Sequence, residues 1–250
     1  MIVEKYLDFD DLYHNLNKNI LFNPTKYVNY IKGKGAYLYT SFIETINYDC
    51  NIDLGELIYS KNKFYKLIKS YLDLKEWDLF KEKLKTTKGN SLTFYFKKDK
   101  KQQGTTSDNG PCILSMVFTR KKDVFDKVFI YYRTTELNRR FGADLVFFHH
   151  LLKDLKNITN LNSINFVFPL SYIQLLNIPL TLKLENINIQ DIKDSYFHNM
   201  IEKDINNILK GEKLSSYKTK RRMQLLTLNK LKIENIDINQ LNLRKENKKL

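Results

Sequence analysis

Two observations predict an α+β fold. Short runs rich in aromatic and β-branched residues follow one another through the middle of the chain: Ser91 to Phe96, Cys112 to Thr119 and Val128 to Tyr132. Stretches with a 3.6-residue apolar period lie before and after them, so a sheet has helices to cover it. With 250 residues, 29.9 kDa and 42% hydrophobic side chains, the chain has material for one sizeable core.

Taken in order, Phe9 to Tyr30 reads as helical, with Leu12, Leu16, Ile20 and Leu21 on one stripe and Asn23-Pro24 punctuating it. After Gly33 and Gly35, Ala36 to Asn47 alternates like a strand or hairpin. Asp53 to Leu74 returns to helix through Leu54, Leu57, Ile58, Tyr65, Ile68 and Leu72. Between the first two central strands lies the polar stretch KKDKKQQGTTSDNG, which has the composition of a loop. Ala143 to Leu155 forms a helix, Ile164 to Phe168 a buried strand, and helices recur at Ile189 to Lys210 and Lys218 to Leu231. There is no internal repeat.

Eight glycines and four prolines are scattered, and no Gly/Ser- or Pro-rich linker divides the first two hundred residues. The division expected is a catalytic domain over 1–210 followed by a basic segment over 211–250. That segment carries eleven Lys and Arg against Glu212, Glu234, Asp237 and Glu246, so half of the +14 net charge lies in it. Clustered basic residues gain affinity for nucleic acid by releasing phosphate counterions, and a solvated tail has the same composition. A Lys-, Asn- and Ile-rich chain with Ala only at Ala36 and Ala143 acquires a basic balance without selection for a basic surface.

No apolar run approaches the ~20 residues needed to cross a bilayer, and the start, MIVEKYLDFDDLYHN, lacks the basic-then-apolar order of a signal peptide. The expected location is the cytoplasm, with no membrane partner. Cys50 and Cys112 are too few for a disulfide framework or a four-cysteine zinc site. His149 and His150 have no Asp, Glu or Cys set at metal spacing, so no metal is expected.

The chemistry concentrates in GPCILSMVFTRKKDVFDKVFIYYRTTELNRRFGADLVFFHHLL. Gly110-Pro111 puts Cys112 at the mouth of one strand, and a second ends at Tyr132, followed by Arg133-Thr134-Thr135-Glu136. If the two strands form a hairpin, Arg133 lies close to Cys112. A guanidinium beside a thiol favours the thiolate nucleophile and offers a fixed fork to phosphate. By local pattern alone, a cysteine at a strand start is more often a small buried hydrophobe.

This segment resembles the thymidylate synthases and the related deoxycytidylate and cytidylate hydroxymethylases. The resemblance rests on Pro111-Cys112, on Arg133-Thr134-Thr135-Glu136 twenty-one residues after the cysteine, and on Asp144 eleven residues beyond Arg133. Upstream, LGELIYS and LKEWDLF resemble the family's Glu-Leu helix and later tryptophan. The likeness runs from about Leu54 to Tyr172. It implies a large mixed β-sheet covered by helices, with one sheet face used for homodimerisation.

The resemblance also implies roles. Cys112 is the nucleophile toward C6 of a pyrimidine nucleoside monophosphate, and Glu56 the carboxylate that manages protons. Arg133, Thr134, Glu136 and Lys34 bind substrate, with Lys97, Lys98, Lys100 or Lys101 as candidates for the part of the phosphate site lent by the second subunit. Trp77 becomes a wall of the pocket for 5,10-methylenetetrahydrofolate. Asp144 occupies the base-reading position, where a carboxyl complements cytosine and points to dCMP hydroxymethylation; dUMP methylation and nucleic-acid binding through 211–250 are the alternatives. From position alone Asp144 is also a helix cap, Glu56 a plain helix residue and Trp77 a core residue. The family's His-x-Tyr pair for the sugar is reduced to Tyr172, with Leu170 in place of the histidine, and Lys32-Gly33-Lys34-Gly35 stands where an Arg-rich loop is usual. Arg140 and Gly142 replace the glycine and proline before the base reader, and the C-terminal end is the lysine-rich KENKKL.

Overall fold

A computed structural model describes residues 3–23, 26–30, 33–38, 42–47, 61–96, 112–168, 173–175, 185–188 and 191. The expected helices at 189–210 and 218–231 and the basic segment 211–250 lie outside the described residues, Asp191 apart.

The first strand, β1 (Val3–Asp8), runs directly into α1 (Phe9–Phe22). Asp8 keeps an extended backbone and its side chain accepts from the Asp11 N–H at 2.8 Å, which satisfies one of the unpaired donors at the helix start. Leu12, Leu16, Ile20 and Leu21 are fully buried, as their spacing predicts. Each large apolar side chain so buried is worth roughly 1.5–3 kcal/mol. The helix does not continue to Tyr30. It stops at Phe22, and Lys26–Tyr30 is strand β2. Pro24 has no N–H to donate and disfavours helical backbone at the residue before it, and the KYVNY that follows has strand composition.

Ala36 to Asn47 is likewise two strands rather than a hairpin. Strand β3 (Gly33–Leu38) pairs with β2, whereas β4 (Phe42–Asn47) pairs in parallel with β1, so the chain changes sheets between them. Helix α2 is described over Lys61–Tyr71, and residues 53–60 lie outside the described residues. Asp73 then caps a separate helix α3 (Leu74–Thr86), accepting from the Lys75 N–H at 3.1 Å. The buried side of α3 is Trp77, Phe80 and Leu84.

Strands β5 (Ser91–Tyr95), β6 (Ile113–Lys121) and β7 (Val124–Tyr132) form an antiparallel meander, with Lys122 at the β6–β7 turn in a left-handed conformation at φ 58°. After β7 come the two-residue strand β8 (Thr135–Glu136), a single π-helical turn (Leu137–Phe141), α4 (Gly142–Lys153), β9 (Ser163–Val167) and β10 (Ile173–Leu175).

These strands make a mixed six-stranded sheet in the order β1-β4-β9-β7-β6-β5 and a four-stranded sheet in the order β2-β3-β10-β8. On one face of the large sheet Phe94, Met116, Phe118, Val128, Ile130, Tyr132, Ile164 and Phe166 are buried in the core. Alternation sends their neighbours to the other face, where Ser115, Val117, Phe129, Tyr131 and Val167 are half-buried and Tyr95 is exposed. The α+β class with a large mixed sheet and few helices is therefore observed. Among the described residues no helix is long and apolar enough to cross a membrane.

Candidate active site

Cys112 reaches Arg133 through an irregularity. Low in the hairpin Ser115 pairs with Tyr131, and a continuous register would set Cys112 opposite Thr134. A β-bulge at Leu114 lets Ile113 pair with Tyr132 instead, and the next residue outward, Cys112, then accepts the Arg133 N–H on its carbonyl at 2.8 Å. A bulge of this kind inserts one unpaired residue and re-aims the side chains beyond it. The expected proximity of Cys112 and Arg133 holds on the backbone. Cys112 is half-buried, Arg133 exposed and Thr134 half-buried, while Thr135 and Glu136 are buried as β8 pairs in parallel with β10.

Behind this pair stands a buried polar group. Asp144 lies in the first turn of α4 with 0% of its surface exposed. It is not a cap: α4 follows the π-helical turn without a side-chain cap, and the Asp144 carboxyl turns to Tyr132, whose hydroxyl donates to Oδ2 at 3.3 Å. Oδ1 is buried and has no hydrogen-bond partner among the described residues. Burial raises the Asp144 carboxyl to about 8, against the opposing pull of the Arg140 charge and of hydrogen bonds from Tyr132 and Tyr71. The protonated, neutral form of the acid is therefore favoured at pH 7.

Tyr71 at the end of α2 and Tyr132 at the end of β7 are both buried. The π-helical turn supplies Arg140, whose Nη1 donates to the Tyr71 hydroxyl at 3.2 Å. Burial lifts both tyrosine hydroxyls well above their ordinary range, followed by the negative charge of Asp144, and Cys112 adds to the same effect on each. Phe168 stacks on Tyr132 at 5.0 Å between centroids, with Phe141 edge-on at 5.8 Å, which fixes where the hydroxyl points.

Cys112, Arg133, Thr134 and Asp144 accordingly share one end of the β6–β7 hairpin. Trp77 belongs to the aromatic core, 2% exposed, stacked on Phe80 at 5.6 Å and edge-on to Phe94 at 5.2 Å. Lys34 is in β3, whose side chains are outside the described set, and Glu56, Tyr172, Cys50 and Lys97 to Lys101 lie outside the described residues. His149 and His150 sit on α4 with ring centroids 5.3 Å apart.

The sequence reading missed Tyr71, Tyr132 and Arg140 as members of the site. The available signal was slight: a tyrosine at an inward strand position must find a partner for its hydroxyl once buried, and the nearest acid in the helix that follows is Asp144. Compared with family models and with curated proteins, the chain matches none. Chemically, the arrangement combines a thiol at a strand mouth, an arginine paired with it through the backbone, and a buried acid whose carboxyl is raised to about 8.

Proposed function

We propose that the protein is a pyrimidine nucleotide C5 hydroxymethylase acting on dCMP. The observation that carries this reading is the Arg133 N–H bond to the Cys112 carbonyl, made beside the buried neutral carboxyl of Asp144. The guanidinium carried by Arg133, the residue paired with Cys112 through the backbone, suits a nucleotide phosphate, and holding the phosphate would orient the ring against the sulfur. The Cys112 thiolate adds to C6, the C6–S bond forms, and the electron pair of the C5–C6 double bond moves onto C5 and the carbonyl system, making C5 nucleophilic. A neutral carboxyl presents one donor and one acceptor, which is the complement of cytosine N3 and its C4 amino group.

Methylenetetrahydrofolate, as the donor this reading calls for, would supply an electrophilic one-carbon unit to C5. Trp77 does not fit it as a pocket wall, being enclosed by Phe80 and Phe94. The steps assigned to described residues therefore end at activated C5. A second copy of the chain is the partner the reading calls for, seated on the half-open sheet face bearing Val117, Phe129, Tyr131 and Val167; sedimentation of the intact chain as a monomer would remove that part.

The test is tritium release from C5-tritiated dCMP and dUMP, with methylenetetrahydrofolate present and Cys112→Ala as control. Release from dCMP that is lost in the variant is expected. No release from either nucleotide would end the proposal.

A further inference from the structure

The two oxygens of Asp144 are not equivalent. Oδ2 accepts the Tyr132 hydroxyl at 3.3 Å, Tyr71 brings a second hydroxyl to the same carboxyl, and Oδ1 is buried without a partner among the described residues. In a neutral carboxyl the carbonyl oxygen is the better acceptor, so a hydroxyl donating to Oδ2 makes Oδ2 the carbonyl and leaves the proton on Oδ1. The acid then has a fixed polarity, donor at one oxygen and acceptor at the other, in place of two interchangeable arrangements. Cytosine and uracil differ by exchanging donor and acceptor at two adjacent positions, N3 and C4. A carboxyl free to move its proton serves both bases, whereas a locked one serves a single base.

We infer that Tyr132 is a specificity-determining positioning residue, whose hydroxyl decides which oxygen of Asp144 carries the proton and thereby which pyrimidine edge the site accepts. This deepens the proposed function and rests on it. Tyr132 acts through Asp144 and is not a catalytic residue. Its ring is held by the stack on Phe168 and by Phe141 and Phe166, so the donor direction is set by packing.

The decisive variant is Tyr132→Phe, which keeps the ring and removes the hydroxyl. Equilibrium binding of dCMP and of dUMP to the intact chain gives the preference ratio directly. The wild type should favour dCMP, and in the variant the two affinities should converge by about tenfold, the effect of one hydrogen bond. An unchanged ratio in a folded variant overturns the inference and leaves the proposed function standing. Failure of both nucleotides to bind the wild type overturns both. Infrared difference spectra of wild type against Asp144→Asn near pH 6 do not depend on the Phe variant folding. The Asp144 carbonyl stretch should lie at the lowered frequency of a hydrogen-bonded protonated acid, and a free-carbonyl or ionised position overturns the inference.

Discussion

Replacing Asp144 by Asn tests the buried acid without reference to any ligand. The carboxyl rises from an ordinary 3.8 to about 8 because it is buried. In the unfolded chain it ionises near its ordinary value, so between about pH 4 and about pH 8 the native state holds a proton that the unfolded state has released. Stability contributed by this group is fully present below the lower value and declines as pH rises through the window. The slope is about 1.4 kcal/mol per pH unit, so the four-unit window amounts to about 5 kcal/mol. The amide introduced by Asp144→Asn cannot ionise, is nearly the same shape as the acid, and lacks this slope. Urea unfolding followed by fluorescence of the single tryptophan, Trp77, which is buried in the core, gives both stabilities at each pH. Subtracting one profile from the other cancels the groups the two proteins share. The Asn variant should gain on the wild type steadily from about pH 5 to about pH 8. A difference that stays constant over that range would refute the assignment of a neutral buried acid.

Three further outcomes follow from the packing. Trp77→Ala removes the ring that stacks on Phe80 and meets Phe94, and should cost about 3–5 kcal/mol, read by circular dichroism because the fluorophore is lost; a cost under about 1 kcal/mol would contradict the core placement. Lys122→Gly relieves a left-handed backbone at φ 58° and should raise stability by about 0.5–1 kcal/mol in urea unfolding, with a loss counting against the turn geometry. Asp73→Ala removes the acceptor for the Lys75 N–H and should lower stability by about 1 kcal/mol, an effect that Asp73→Ser should largely restore.

Much of the frame was legible because periodicity reports which side of an element is buried. Leu12, Leu16, Ile20 and Leu21 announce the buried stripe of α1, and the alternation in β6 and β7 announces a two-faced sheet. What stayed hidden were pairings between distant segments. Nothing local tells β3 and β4 to enter different sheets, because that choice depends on β10 and β9 being available as neighbours. Helix α3 is legible too, since Asp73, Trp77, Phe80 and Leu84 spell a cap and a stripe, although the family resemblance reads Trp77 as a pocket wall where the structure has it in the core. In the site, residue types near Cys112 were legible, whereas Tyr71 enters from a helix forty-one positions upstream and leaves no mark around Cys112 in the sequence.

Two departures from regular structure meet at this site. The bulge at Leu114 gives β6 one residue more than its partner, bringing Cys112 opposite Arg133. The π-helical turn Leu137–Phe141 opens the first turn before α4, from which Arg140 reaches Tyr71 while Asp144 faces Tyr132. Each sacrifices regular backbone pairing, and a π turn is a rare conformation. Regular alternatives exist for both: an even β6–β7 register and an α-helix running on from its cap. The even register would place Cys112 opposite Thr134. What holds the irregular arrangement is the packing of Tyr132, Phe141, Phe166 and Phe168, whose rings lie 5.0–6.4 Å apart and fill the space between β7, the π turn and β9. The same rings that stabilise the hairpin end thus fix the hydroxyl that meets Asp144, so the stability of this corner and the geometry of the candidate site have one physical origin.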